Sequence, residues 1–223
     1  MVMNNNLVKV GYDYLKVIEE IIDGRDIYRL FHVLNAIKLK ENCNLGLRLA
    51  KSMVFGDKSW FYCYHDEVDP YRENAVDPID SDEPFFSCYD TSEIYKVFDY
   101  LYIEENEMGA WQAYLLSNAM TLLPTTWHGG YIKRQYVFEA EDLHRERFPT
   151  LPFRPRIDFT DEYDVVPSVN ISGTEAVVSC CYWNDWEGLV REIVNINMDK
   201  GRFHFGIPKS KKVLYKYNCG IMF

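Results

Sequence analysis

The first forty residues carry two successive patterns of apolar positions at three- and four-residue spacing, which is the signature of amphipathic helices. The first pattern predicts a helix with these residues on one face: Leu7, Val10, Tyr14, Ile18 and Ile21. Asp23-Gly24 follows, and glycine there suits the left-handed conformation that ends a helix. The second pattern predicts another helix, with one side formed by Ile27, Leu30, Phe31, Leu34 and Ile37. The two helices together form a predicted helical hairpin.

The pattern changes several times between residues 43 and 124. Residues 43–52 fit a strand and a helix equally well, whereas Phe55 to Tyr64 is a strand-like aromatic run. Asp90 and Glu93 have the spacing of a capping box, and apolar residues at helical spacing follow them up to Leu101. Gly109 is expected to interrupt this helical region. A further helix is predicted from residue 111 until Pro124 stops it.

The second half of the chain consists of short apolar and aromatic runs separated by turn residues. Strands are predicted at about residues 131–138, 164–171, 176–183, 188–196, 202–207 and 212–217. Their short connections favour antiparallel neighbours and, most simply, a meander. Cys180 to Glu192 is the predicted central hairpin, because Trp183 and Trp186 bracket an Asn-Asp turn that would set the strand register.

These elements predict an α+β fold in which a helical N-terminal half packs on one face of a mostly antiparallel β-sheet meander formed by the C-terminal half. We expect a single domain over residues 1–223. Its helix-rich part is 1–123 with an acidic loop at 65–90, and its β-rich part is 131–223. Phe148 to Pro155, which contains three prolines, resembles a connector between a mostly helical first half and a mostly β second half of the chain.

Composition places the chain among folded proteins, since 48% of its 223 residues are hydrophobic and 16% are aromatic. No apolar run approaches the roughly 20 residues of a membrane helix, and the start lacks the pattern of a signal peptide. The six cysteines include no CxxC pair, which argues against a disulfide framework or a zinc knuckle. We therefore expect a cytoplasmic protein without a cofactor and without a membrane association.

Charge is concentrated in one segment. Residues 57–93 contain eleven acids and two bases, a balance of −9 in a chain whose net charge is −10. Such a balance argues against nucleic acid as a partner, because nucleic-acid binding depends on basic residues. Pro70, Pro78 and Pro84 and the lack of a helical period predict an extended surface loop. Aromatic residues lie among the carboxylates, so the loop has charge for steering and rings for contact.

We therefore predict a non-enzymatic binding protein that uses this acidic, aromatic surface to engage a basic protein partner. Its concrete form would be a toxin-neutralising, immunity-type protein. The predicted binding residues are Asp66, Glu67, Asp69, Tyr71, Glu73, Asp77, Asp80, Asp82, Glu83, Phe85 and Phe86. The simpler interpretation is a solvated loop that aids solubility. A third alternative is an assembly or scaffold subunit whose second-half sheet forms a self-interface.

A hydrolase-like enzyme is the competing hypothesis. Cys180 or Cys181 would be its nucleophile, His204 or His128 its base, and Asp185 the orienting carboxylate. Successive strand residues point to opposite faces, so at most one of the two thiols could serve a given site. Plain packing of buried cysteines explains the pair equally well.

Three weaker patterns have ordinary structural explanations. Glu141 and His144 have the Glu-x-x-His spacing of di-iron bundles, but the sequence has no second copy of the motif. The carboxylates of residues 77–83 lack the order of a calcium-binding EF-hand loop. The turn from Trp127 to Tyr131 contains one titratable histidine, which could line a pocket or simply close a turn.

Overall fold

The computed structural model describes residues 2–21, 26–50, 58–65, 97–122, 134–149, 154–199, 202–205, 210–217 and 220. Its helices are α1 (Val2–Glu20), a 3-10 turn (Asp26–Tyr28), α2 (Arg29–Val33), α3 (Glu107–Leu122) and α4 (Asp142–Arg145). Its strands are β1 (Ile37–Leu39), β2 (Cys43–Ala50), β3 (Lys58–His65), β4 (Leu101–Ile103), β5 (Gln135–Val137), β6 (Ser168–Ser172), β7 (Glu175–Asn184), β8 (Gly188–Asp199), β9 (Arg202–Phe205) and β10 (Ser210–Lys216). The fold is α+β, as predicted.

The C-terminal half forms a six-stranded antiparallel sheet built on β7 and β8. β6, β7, β8 and β9 pair in chain order, which is the predicted meander. The two remaining strands depart from it: β10 returns to pair with β8 beyond β9, and β5 pairs with the end of β7. Two separate two-stranded sheets, β1–β4 and β2–β3, lie in the N-terminal half.

The predicted central hairpin is the β7–β8 hairpin, whose ten register pairs run from Glu175↔Asn197 to Asn184↔Gly188. Its turn is held by Asn184, whose Oδ1 accepts the backbone N–H groups of Trp186 at 3.0 Å and Glu187 at 2.6 Å. Gly188 closes the turn with φ +97°, a conformation that favours glycine. Trp183 is fully buried, but Trp186 is 42% exposed, so only one of the two tryptophans belongs to the core.

One face of the sheet packs against α1 and α3. The strand residues in this core alternate along β7 and β8: Ala176, Val178, Cys180 and Tyr182 on β7, and Val190, Val194, Ile196 and Met198 on β8. Leu7 and Tyr14 of α1 and Trp111 of α3 complete the core. The Trp111 indole N–H donates to the Leu7 carbonyl at 2.9 Å and joins the two helices. Helices therefore cover one sheet face, as predicted.

The opposite sheet face is also buried in the part next to the β7–β8 turn, which the sequence patterns did not indicate. Trp183 and Cys181 of β7 pack there with Phe148, Phe159 and Val165 of the chain between α4 and β6. The Trp183 ring lies 5.1 Å from Phe148 and 6.0 Å from Phe159, centroid to centroid. Residue 148, predicted to begin a connector, is thus part of a second hydrophobic core.

Three predictions for the N-terminal half were wrong in extent. The second helix is only five residues long, and Ile37 belongs to β1, because Ile37 pairs with Ile103 in a sheet. Leu101, predicted as helical, is the first residue of β4. Gly109 lies inside the first turn of α3, where its N–H is capped by Asn106 Oδ1 at 2.8 Å. The ambiguous residues 43–50 form β2, paired over eight positions with the predicted aromatic strand β3.

Candidate functional site

All of the predicted binding residues of the acidic surface lie outside the described residues. They are Asp66, Glu67, Asp69, Tyr71, Glu73, Asp77, Asp80, Asp82, Glu83, Phe85 and Phe86. The structure places the two ends of this segment. It leaves β3 after His65, the register partner of Cys43 on β2. It re-enters the described chain at Val97 and Phe98, which are 4% and 2% exposed. The chain on either side of the segment therefore belongs to described parts of the fold.

The described chain directly after the segment continues its character. Residues 99–107 contain four acids and no base: Asp99, Glu104, Glu105 and Glu107. Tyr102 on β4 lies among them and is 55% exposed, the highest value among the exposed large hydrophobic residues of the described chain. Lys38, its register partner on β1, supplies an opposing charge at one position. An exposed tyrosine in acidic surroundings thus borders the predicted binding segment.

Inside the fold, an ion pair joins Arg134 to the buried Glu192. Arg134 donates from Nη1 to Glu192 Oε2 at 2.7 Å and from Nη2 to Oε1 at 3.0 Å. The Glu192 side chain is 2% exposed and that of Arg134 is 23% exposed. Arg134 also donates to Asn118 Oδ1 of α3 at 2.7 Å. Its guanidinium lies 4.5 Å from the centre of the Tyr182 ring, within cation–π range.

Buried tyrosines surround this pair. The Tyr114 hydroxyl donates to Glu192 Oε2 at 3.2 Å, whereas the hydroxyls of Tyr14 and Tyr136 have no hydrogen-bond partner among the described residues. Burial raises the pKa of all three tyrosines above the usual value, as it does for Tyr182. None of these phenols ionises near neutral pH. Hydrogen bonds of the cluster therefore join Arg134, the residue before β5, to α3 and β8, and the cation–π contact adds β7. The charges of Arg134 and Glu192 neutralise each other.

The two cysteines of the enzyme hypothesis lie in different cores, as strand alternation predicted. Cys180 packs on the helix-covered face and Cys181 on the opposite face, and both are buried. Burial raises the pKa of each thiol, although Arg191 opposes the rise at Cys181. A thiol with a raised pKa is mostly protonated at neutral pH, and the thiolate is the nucleophile. Neither position favours nucleophilic chemistry.

His204, the histidine proposed as base, lies several register positions away from Cys180 along the sheet. His204 on β9 pairs with Asn197 of β8, whereas Cys180 pairs with Glu192 of the same strand. Five residues of extended strand span about 17 Å, so the backbones of Cys180 and His204 lie far apart along the sheet. His128, the other candidate base, lies outside the described residues. Asp185 is 1% exposed and accepts the Trp183 indole N–H at 2.7 Å.

The remaining motif residues have structural surroundings. Glu141 and His144 flank Asp142, and the pair is not part of a metal-ligand group within the described chain. Asp142 itself is buried and accepts the Tyr12 hydroxyl at 2.7 Å, and its Oδ2 accepts the N–H groups of Phe138 and Glu139. This carboxylate fastens α1 to the chain after β5. The turn at 127–131 and the carboxylates at 77–83 lie outside the described residues.

Sequence reasoning did not single out Arg134 and Glu192. A signal for Glu192 existed, because it shares strand parity with Val190, Val194 and Ile196 and so falls on the helix-covered face. A charge at such a position indicates a buried partner. The identity of that partner could not be read from the pattern, since Arg134 lies 58 residues earlier.

No helix within the described ranges is long and apolar enough to cross a membrane. Comparisons of this chain with protein-family models, with curated proteins and with solved structures find no match. Function is therefore inferred from the residues and geometry of this chain.

Proposed function

We propose that this protein is a non-enzymatic, cytoplasmic binding protein that engages a basic protein partner through its acidic, aromatic segment. The observation that carries the proposal is the segregation of charge along the chain. Residues 57–93 hold eleven of the 34 acids and two of the 24 bases, which leaves 23 acids and 22 bases for the rest. The remainder of the protein is thus close to neutral. The field of the molecule originates mainly in one segment.

The border of the segment supports this proposal. Asp99, Glu104, Glu105 and Glu107 extend the acidic character, and Tyr102 adds an exposed aromatic ring beside it. Electrostatic complementarity accelerates the encounter of oppositely charged surfaces, and aromatic residues supply much of the energy that holds a complex. Acidic charge next to aromatic contact area is the combination that a basic protein surface would require.

The test compares two variants with the same change in net charge. The segment variant neutralises four carboxylates of the proposed surface: Glu73→Gln, Asp77→Asn, Asp80→Asn and Glu83→Gln. The control variant neutralises four exposed carboxylates elsewhere: Asp13→Asn, Asp158→Asn, Glu162→Gln and Glu175→Gln. Each changes the net charge from −10 to −6, as calculated from the sequence. Proteins captured by each immobilised form from the native cell extract are identified by mass spectrometry.

We expect the wild type and the control variant to capture the same basic protein and the segment variant to lose it. Capture should also weaken as salt increases, because the Debye length falls from about 10 Å at 0.1 M to about 3 Å at 1 M ionic strength. Equal capture by both variants would contradict a role for the segment. Capture that is indifferent to salt would contradict electrostatic steering.

An immunity-type inhibitor is the specific form of this proposal. Such a protein would cover the cationic active site of a toxin and abolish its activity at equimolar concentration. Assaying the captured basic protein for nuclease or other toxic activity, with and without this chain, tests that form. Inhibition by the wild type and by the control variant, but not by the segment variant, is the expected result. A captured partner whose activity is unchanged would refute the inhibitor form alone.

A further inference from the structure

The edge strand β10 has the features of an acceptor for an added strand. It pairs with β8 over Ser210–Lys216 and is the terminal strand in the order of the six-stranded sheet. Within the described chain, its other edge pairs with no strand. An edge strand presents a row of backbone N–H and C=O groups that an extended peptide can use. The backbone of β10 therefore offers a template for strand addition.

The side chains of β10 give this edge a charge opposite to that of the whole protein. Its seven residues include Lys211, Lys212 and Lys216 and no acid. Lys212 and Lys216 are exposed, and no ion pair joins either of them to an acid of the described chain. Lys211 is only 3.6 Å from Glu187 and is partly neutralised by it. Val213, 47% exposed, adds apolar contact area between the lysines.

Charge decides which strand would fit. Pairing of β10 with β10 of a second copy would bring six lysines and no acid to one interface, which like-charge repulsion disfavours. Lysines on an edge strand also guard against pairing with neutral or basic strands. A β-bulge between Val213 and Tyr215 places Lys212, opposite Arg191, and Lys216, opposite Gly188, on different faces of the sheet. An extended acidic segment is the class of strand for which these lysines are favourable neighbours, because a carboxylate on either face of the added strand can then lie beside a lysine.

We propose that the outer edge of β10 binds an extended acidic segment of a partner protein as an additional antiparallel or parallel strand. Backbone hydrogen bonds would pair the added strand with β10, and Lys212 and Lys216 would favour a strand with negative charge. This site consists of sheet residues, does not include the acidic segment, and does not depend on the basic partner proposed above.

The experiment uses the full chain, labelled with ¹⁵N, and as probe the synthetic heptapeptide Glu-Glu-Val-Glu-Glu-Val-Glu, which presents carboxylates on both faces when it is extended. We expect shifted backbone amides in residues 210–217 and affinity that falls at least tenfold in the variant Lys212→Glu/Lys216→Glu. The matched variant Lys9→Glu/Lys16→Glu changes two exposed lysines of α1 and should change the affinity less than twofold. The same peptide with Lys in place of Glu should not bind.

Two N-methylated peptides separate strand addition from simple charge attraction. In an added strand only alternate N–H groups face the sheet, so methylation of one alternating set should abolish binding and methylation of the other should not. Equal binding of both methylated peptides would overturn strand addition. Shifts confined to other parts of the protein, or equal effects of the two lysine variants, would overturn the assignment to β10.

Two other occupants are distinguished by measurements without peptide. Concentration-dependent protection of the β10 amides would show that a second copy covers the edge. Shifts of these amides on neutralising Glu73, Asp77, Asp80 and Glu83 would show that the acidic segment of the same chain covers it. Either result would overturn the proposal, whereas failure to capture a basic protein would affect only the proposed function.

Discussion

The buried ion pair allows a quantitative prediction about what holds the two halves of the fold together. Arg134→Met removes two hydrogen bonds to Glu192 and one to Asn118. Glu192, 2% exposed, is then left with the Tyr114 hydroxyl as its donor among the described contacts. Leaving a buried charge without its partner destabilises a protein by about 3–5 kcal/mol.

Partial exposure of Arg134 places the expected loss at the lower end of that range. Its side chain is 23% exposed, so water enters the site when the guanidinium is removed. We expect Arg134→Met to lower the free energy of unfolding by about 3 kcal/mol. The double variant Arg134→Met/Glu192→Met removes both charges and should be at least about 1 kcal/mol more stable than Arg134→Met alone, because two charges that need each other are replaced by apolar groups.

Urea unfolding followed by tryptophan fluorescence measures these differences. An exposed pair, Arg29 with Glu20, provides the control, since its side chains are 42% and 47% exposed. Arg29→Met should change the stability by less than about 1 kcal/mol, as is usual for surface ion pairs. The reasoning is refuted if Arg134→Met destabilises the protein no more than Arg29→Met does. It is also refuted if the double variant loses as much stability as Arg134→Met and Glu192→Met lose in sum.

Other predictions concern the turn, the tyrosines and the thiol. Gly188→Ala should cost about 3 kcal/mol in unfolding free energy, because a Cβ would lie 2.1 Å from the Tyr215 carbonyl at φ +97°. Gly173→Ala, at φ +61° with nothing within 4 Å, should cost about 1 kcal/mol, and equal costs in urea unfolding would refute the steric contribution. Tyr136→Phe removes no described hydrogen bond and should be nearly neutral, whereas Tyr114→Phe should cost about 1 kcal/mol; the reverse order would contradict the network. Burial raises the pKa of Tyr114 and of Tyr136 in the folded state. The contribution of their protonated hydroxyls to the stability of the fold is therefore fully present below the unfolded pKa of about 10. It is lost as pH rises further, by up to about 1.4 kcal/mol per pH unit per group; stability that is flat between pH 9 and 11 would be inconsistent with this. Cys180, buried and with a raised pKa, should react with a thiol reagent only as fast as the protein unfolds, and rapid labelling in native buffer would show otherwise.

Local pattern was most informative in the C-terminal half. Strand alternation is visible there because each strand of the β7–β8 hairpin places one set of residues in the helix-covered core and turn residues separate the strands. The burial of the second face could not be inferred in the same way. It depends on Phe148 and Phe159, which reach Trp183 from a proline-rich stretch without a regular period.

Two of the errors in the N-terminal half, at Ile37 and Leu101, have a common physical cause, which is pairing between distant residues. Ile37 and Leu101 continue helical patterns, but each lies in the β1–β4 sheet, whose partners are more than sixty residues apart. The Gln112 side chain also accepts the Ala36 N–H at 2.7 Å, where the helical ladder would otherwise have continued. Such contacts override local helical preference, and a single sequence does not show them.

The candidate sites were predictable to different degrees. The acidic segment is defined by its charge count, which needs only the sequence, and its residue-level geometry stays a prediction. The Arg134–Glu192 pair required the fold, since strand parity indicates only that Glu192 points inward. The lysines of β10 were visible in the sequence, but their place on a sheet edge became apparent only from the strand order.

The most direct test of the proposed function is the salt dependence of the association rate between this chain and its captured basic partner. For the wild type and for the control variant neutralised at Asp13, Asp158, Glu162 and Glu175, we predict a rate that falls at least tenfold between 0.05 and 0.5 M salt. For the variant neutralised at Glu73, Asp77, Asp80 and Glu83 we predict a slower rate with a weaker dependence on salt. The same rate and the same salt dependence in all three proteins would contradict the central claim that this segment recruits the partner.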